Sequence, residues 1–283
     1  MRSAAPIVLL YLCALFVPRP AASQTDSPLA AASALTPRPI ESSQEQRVLP
    51  TRHEVGASYS YFHFDGDFDA WHIGSAWFER KNAAAALIAR VNIANRFDES
   101  AIQFEADAYP LLSRSVYGYL NLGYSPSSSS FPEWRLGGEL WVNLPEAWES
   151  SAGFRYLVFE ANEIPLLTGT IGKYYGNYWT SLRPFIAFDD GEVSWSLALF
   201  TRRYFVDADN YLGLIAAYGD GFGPSVIQQE LDRLSDFQLQ LGGKHPLGTR
   251  THWQWSVSYE FEELSFDRSR NRIGFTIALE RLL

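Results

Sequence analysis

Nine charged residues stand inside segments that otherwise alternate apolar and polar: Arg90, Glu105, Asp107, Arg135, Glu139, Arg155, Arg202, Glu260 and Arg272. Each shares its parity with small or polar neighbours. A charge in that setting has two chemical uses. It can pair with an opposite charge and stiffen the structure, or it can line a wet path for a polar solute. Both uses need the alternating segments to be strands with one polar face.

Other candidate chemistry is sparse. The five His (His53, His63, His72, His245, His252) lack the His-Glu-x-x-His spacing of a zinc site. There is no Gly-x-Ser-x-Gly elbow for a nucleophile. Nothing local marks catalytic residues, so the reading is non-enzymatic, with a lipid- or glycan-modifying barrel enzyme as an alternative. Asp65-Gly66-Asp67-Phe68-Asp69 opens like a calcium loop, but Ala70 and Ala76 stand where Gly and Glu are needed. It reads as a polar external hairpin turn, and no metal or cofactor is expected. Asp189-Asp190-Gly191 reads as a tight turn. Gly219-Asp220-Gly221-Phe222-Gly223 heads a long loop and lacks the basic residue of a phosphate cradle.

The chain has 283 residues, 47% hydrophobic, 15% aromatic and 19% charged, with a net charge of -9. That charge argues against nucleic acid as a partner. A single Cys excludes a disulfide framework. Arg2, the apolar run Ile7 to Val17 and Ala21-Ala22-Ser23 read as a signal peptide over residues 1–23. The run is too short to span a bilayer, which takes about 20 apolar residues, and Pro18 and Pro20 end it. Cys13 falls within it. Residues 24–52, rich in Ala, Ser, Pro and Gln, read as a flexible periplasmic lead-in.

From residue 53 onward a period of 2 dominates. Trp253, Trp255, Val257, Tyr259 and Phe261 oppose Gln254, Ser256, Ser258 and Glu260. Ile102, Phe104, Ala106 and Ala108 oppose Gln103, Glu105 and Asp107. Residues 53–283 read as an all-β, antiparallel transmembrane barrel of about 14 strands, with 12 as the alternative. The predicted strands are 53–64, 69–81, 84–96, 99–110, 114–125, 132–144, 147–161, 164–176, 178–189, 192–205, 210–219, 235–245, 250–262 and 270–282. One short helix is predicted at Val226 to Leu234. The three longest linkers, Gly219 to Leu234, Glu263 to Ser269 and Pro126 to Phe131, all follow odd strands, as external loops should. Trp71, Trp77, Tyr109, Tyr124, Trp134, Trp148, Tyr174, Tyr175, Tyr178, Trp179, Tyr204, Tyr211 and Trp253 lie near strand ends and read as interfacial girdles. Alternation also explains a mean hydropathy of only -0.14 in so aromatic a chain, because each outward apolar residue is followed by an inward polar one.

Three stretches carry a family resemblance: Gly56-Ala57-Ser58-Tyr59-Ser60-Tyr61, Glu149 through Ala152-Gly153-Phe154-Arg155-Tyr156-Leu157 to Phe159, and Tyr218-Gly219-Asp220-Gly221. They resemble the YaiO-type outer-membrane β-barrel. The resemblance implies a barrel in the cell outer membrane, and it assigns no substrate or catalytic residue. Two features depart from the family. Some members carry helical repeats before the barrel, where this chain has a short lead-in. The chain also ends in Leu282-Leu283 instead of an aromatic. Expected partners are outer-membrane lipids, the barrel-assembly machinery and a polar solute or glycan. The chain is read as a monomer that serves as a channel or export pore. A structural or surface-interaction barrel with a filled lumen is the alternative.

Overall fold

The computed structural model describes residues 51–283 except 67, 97–98, 128–129, 161, 190–191, 220–232 and 265–267. The strands are β1 (Arg52–Phe64), β2 (Trp71–Lys81), β3 (Ala85–Arg96), β4 (Glu99–Pro110), β5 (Val116–Tyr124), β6 (Trp134–Asn143) and β7 (Trp148–Val158). They continue as β8 (Glu163–Tyr175), β9 (Tyr178–Asp189), β10 (Glu192–Tyr204), β11 (Tyr211–Gly219), β12 (Arg233–Pro246), β13 (Thr251–Leu264) and β14 (Arg268–Leu282). Each pairs antiparallel with its sequence neighbours, and β1 pairs with β14, so the 14 strands close into a barrel. Closure leaves no edge, which a lipid environment requires, because every strand amide and carbonyl must find a partner inside the protein.

The period-2 pattern sets the two faces. On β4, Gln103, Glu105 and Asp107 are buried while Phe104 is 49% exposed. On β14, Arg272, Thr276 and Glu280 are buried while Ile273, Phe275, Ile277 and Leu279 are exposed. A soluble protein buries the second set. Here the apolar face is outside, where lipid meets it, and the polar face is inside.

The links follow the expected parity in part. The longest, residues 220–232 and 125–133, follow odd strands. Glu263 to Ser269 is not a long loop, because β13 and β14 run on to Leu264 and Arg268 and pair there. Phe205 to Asn210, after the even strand β10, matches the β1–β2 link in length. It is held compact by Phe205 N donating to Asn210 O and by Asp207 capping Asp209 N. The predicted helix at Val226 to Leu234 lies outside the described residues except for Arg233 and Leu234, which belong to β12. Residues 1–50, with the predicted signal peptide and most of the lead-in, also lie outside them, and Arg52 already opens β1.

The seam between β1 and β14 is fastened at both ends. At the terminal end, Leu283 N donates to His53 O at 2.9 Å. At the other end, Asp65, beyond β1, grips Asn271. Asn271 N donates to Asp65 Oδ1 at 2.7 Å, Asp65 N donates to Asn271 O at 3.1 Å, and the Asn271 amide donates to the same carboxylate. These donors hold the Asp65 carboxyl below its usual pKa. A depressed carboxylate stabilises the fold above its unfolded pKa, and that contribution is lost as pH falls through the lower folded value. Asp65→Asn is therefore expected to lower the unfolding midpoint of the folded barrel slightly at neutral pH, since solvent screens an exposed carboxylate. It should also flatten the acid limb. Heat-modifiable gel migration across a pH series measures both. An acid limb identical in wild type and variant would refute the latch.

Candidate functional site: the charged inner wall

The inner face of β3 to β9 carries two linked ion-pair networks. In the first, Arg90 donates to Glu105 at 2.8 Å and to Asp107 at 3.0 Å. Glu105 also takes Arg135 at 3.4 Å and the Asn92 amide at 2.9 Å. Asp107 accepts the Tyr119 hydroxyl at 3.1 Å and the Asn121 amide at 2.8 Å. In the second network, one carboxylate oxygen of Glu139 takes both Arg155 at 3.1 Å and Arg183 at 2.5 Å, while its other oxygen takes Ser151 at 2.6 Å. The Arg155 guanidinium lies 4.8 Å from the Tyr119 ring centre, which joins the two networks. Below them, Trp179 Nε1 donates to Glu149 at 2.6 Å.

Two further groups line β12 to β2. Near the end that carries both termini, the fully buried Lys244 donates to Asp209 at 2.7 Å and to Glu280 at 2.8 Å. A cavity beside it is lined by Arg52, Glu54, Glu79, Lys81 and His252. Near the opposite end, Arg272 pairs with Glu260 and Arg270 with Glu262. Both guanidiniums lie against the rings of Phe64 and Trp71.

Small inner-face residues make room for these groups. A Cβ at Gly137 would stand 2.8 Å from Arg155 Cδ, and one at Gly153 would stand 2.6 Å from the Glu139 Cβ. Gly56 seats the Trp77 indole in the same way. Gly56→Leu is expected to destabilise the barrel by about 1–3 kcal/mol through overpacking. The heat-modified transition midpoint reads this directly, and an unchanged midpoint would show that Trp77 can move aside.

All nine charged residues singled out from the sequence stand on the inner face. Eight have the ion-pair partners given above. Arg202 packs between rings, 4.5 Å from the Tyr211 centre and 5.8 Å from Trp179. Sequence reasoning passed over Arg183, Glu149, Lys244, Glu262 and Arg270. The signal for Arg183 was present, since it shares parity with Ser181 and opposes Leu182 and Ile186. The girdle assignment needs correction. Trp71, Trp77, Tyr109, Tyr174, Trp179, Tyr204 and Tyr211 have inner parity and pack inside, in several cases under a guanidinium. Tyr124, Trp134, Trp148 and Tyr175 do face outward. The inner wall also has an apolar stretch, with Leu157, Phe159, Ile164, Leu166, Phe185 and Phe200 in one cluster. Among the described residues no group of three or more His, Cys, Asp or Glu could hold a metal ion.

The family model described as the YaiO membrane beta barrel domain matches residues 52–221. This chain belongs to that family. Two stretches of the YaiO resemblance now have structural roles. Arg155 belongs to the second network, Gly153 makes room for Glu139 in it, Glu149 accepts the Trp179 indole below it, and Gly56 seats Trp77. No curated protein sequence matches the chain. Among solved structures, it is similar to the CymD monoaromatic hydrocarbon channel, with 8% identity and a TM-score of 0.53, covering 82% of this chain and 88% of that one. It is also similar to a bacterial polysaccharide outer membrane secretin, with 8% identity and a TM-score of 0.52, covering 82% and 98%. The Acinetobacter baumannii outer membrane protein Omp33 matches at 14% identity and a TM-score of 0.49, covering 81% and 97%. At such identities the likeness is one of fold. The YaiO-family barrel is a protein of the outer membrane, with a porin-like fold.

Proposed function

We propose that this YaiO-family barrel is a passage for a polar solute or glycan through the outer membrane. The observation that carries the reading is an asymmetry of the inner wall. At mid-height, allowing for strand tilt, the Arg/Glu/Asp arc of β3 to β9 faces an arc of small hydroxyl and amide side chains. Ser58, Ser60 and Ser75 lie on β1 and β2, Gln240 on β12, Ser256 and Ser258 on β13, and Thr276 on β14. Charges on one side can orient a hydrated solute, and short hydroxyls on the other take up little of the bore. A wall meant only as a filler gains little from charge, since apolar replacement of a buried ion pair is often neutral or stabilising. Charged residues held inside a membrane-spanning structure pair with one another and can mark a solute path.

CymD is described as a monoaromatic hydrocarbon channel and the other structure as a bacterial polysaccharide outer membrane secretin, but neither likeness names the solute here. The wall favours a solute rich in hydroxyl groups. The 14 strands close within one chain, so a monomer suffices for the passage.

The test is conductance of the purified full chain in planar bilayers. Wild type should conduct, and Arg155→Ala should change the unitary current by roughly twofold or more, because it removes one of the guanidiniums that narrow the charged arc. A folded barrel with no current and no solute flux would sink the reading. That result would favour the second one, a barrel with a filled lumen that works through its external loops, to which the close burial of the inner charges also lends support.

A further inference from the structure

The outward-facing charges divide by membrane side. At the end that carries both termini, periplasmic by the rule that short turns face the periplasm, the outward or turn-borne cations are Arg80, Arg114, Lys173, Arg203, Arg250 and Arg281. The acids there with the same placement are Glu146 and Asp207, while Asp209 of the same turn is drawn inward to Lys244. At the opposite end the balance inverts. Asp65, Asp69, Glu99, Glu133, Glu163 and Glu263 are exposed, and no outward-facing cation occurs there among the described side chains.

Aromatic rings fix the depth of two of the periplasmic cations, Lys173 and Arg203. Lys173 Nζ lies 4.5 Å from the centre of the outward-facing Trp148 ring. The Arg203 guanidinium lies 5.4 Å from Phe205 and 5.9 Å from Tyr178. His53 stacks on Phe78, on the strand that carries Arg80. Trp and Tyr rings settle at the boundary between acyl chains and headgroups. Their cations therefore stand at headgroup level and face away from the barrel.

We propose that this rim is a binding surface for anionic phospholipid headgroups, of the phosphatidylglycerol class, in the periplasmic leaflet. The match is one of charge and depth. Ammonium and guanidinium groups meet phosphate diesters, while the adjoining rings pack on the upper acyl chains and glycerol. The acid-rich opposite rim repels the same headgroups, so the surface also fixes which way the barrel sits. The inference is independent of what passes through the lumen.

The test uses the full chain refolded into bilayers of phosphatidylglycerol and phosphatidylcholine in equal amounts, with the boundary shell read by spin-labelled lipids of each class. Wild type should hold phosphatidylglycerol about fivefold over phosphatidylcholine, the effect of one cation at an anionic surface. That preference should fall by about half or more in the triple variant Arg80→Gln/Lys173→Gln/Arg281→Gln, which keeps Arg114, Arg203 and Arg250. It should fall likewise for wild type in about 1 M salt, where the screening length is about 3 Å. The salt arm decides the matter if the triple variant does not fold. Equal retention of both lipids by wild type, or a preference that survives both the variant and the salt, would overturn the proposal.

Discussion

Glu139→Leu is expected to cost the barrel about 3–5 kcal/mol, one of the largest losses for any single substitution in this wall. One carboxylate oxygen serves both Arg155 and Arg183, and all three side chains are nearly or fully buried. Removing the acid leaves two nearly buried guanidiniums close together without the carboxylate they share. Their mutual repulsion then adds to the desolvation of each. The effect should be read as a lower transition midpoint of heat-modifiable migration in detergent. A second variant isolates the cause. Replacing Arg155, Arg183 and Glu139 together by Leu or Met should recover most of the loss, because the charges leave as a set. A single-variant loss within about 0.5 kcal/mol of wild type would mean that water reaches these groups freely, and the network would not be a buried one.

Lys244→Met is expected to come second, again by about 3–5 kcal/mol. Lys244 lies between Asp209 of the β10–β11 turn and Glu280 of β14. Glu280 is fully buried and also accepts from Gln254. Without the ammonium, a buried carboxylate loses its counter-charge and the turn loses its tie to the wall. Urea-induced unfolding in lipid vesicles reads the loss, and an unfolding midpoint equal to that of wild type would contradict it.

The sequence made the barrel legible because closure in lipid leaves little freedom. Alternation such as Gln254-Trp255-Ser256-Val257-Ser258-Tyr259 has one solution in a membrane, with hydroxyls and amides inside and rings outside. The 14 predicted strands differ from those found only by a few residues at their ends. The errors came where a second cue competed with parity. Trp71, Trp77, Trp179 and Tyr211 sit near strand ends, which suggests a girdle. Their parity is that of Glu79, Ser181 and Gly213, and parity decides which face a side chain takes. Glu263 to Ser269 is polar enough to look like a loop, yet in the structure its flanks carry on the β13–β14 ladder. The pairing partners themselves were not legible. Glu139 and Arg183 are far apart in sequence and are brought together by strand register and by the small wall that Gly137 and Gly153 provide. An alternation pattern gives the face of each residue but not which opposite charges share a level.

In the proposed passage, water and solute move along the hydroxyl-rich side of the inner wall. Ser58 lies on that side, at mid-barrel, and is only half-buried. The chain has one Cys, Cys13, so replacing it with Ala gives a clean background. The most direct measurement is single-channel current through a Ser58→Cys variant in a planar bilayer, before and after a charged methanethiosulfonate reagent is added. The account predicts a steady current that drops in one step on modification and returns when a reducing agent releases the label. No current from a folded barrel, or a current that the label leaves unchanged, would contradict it.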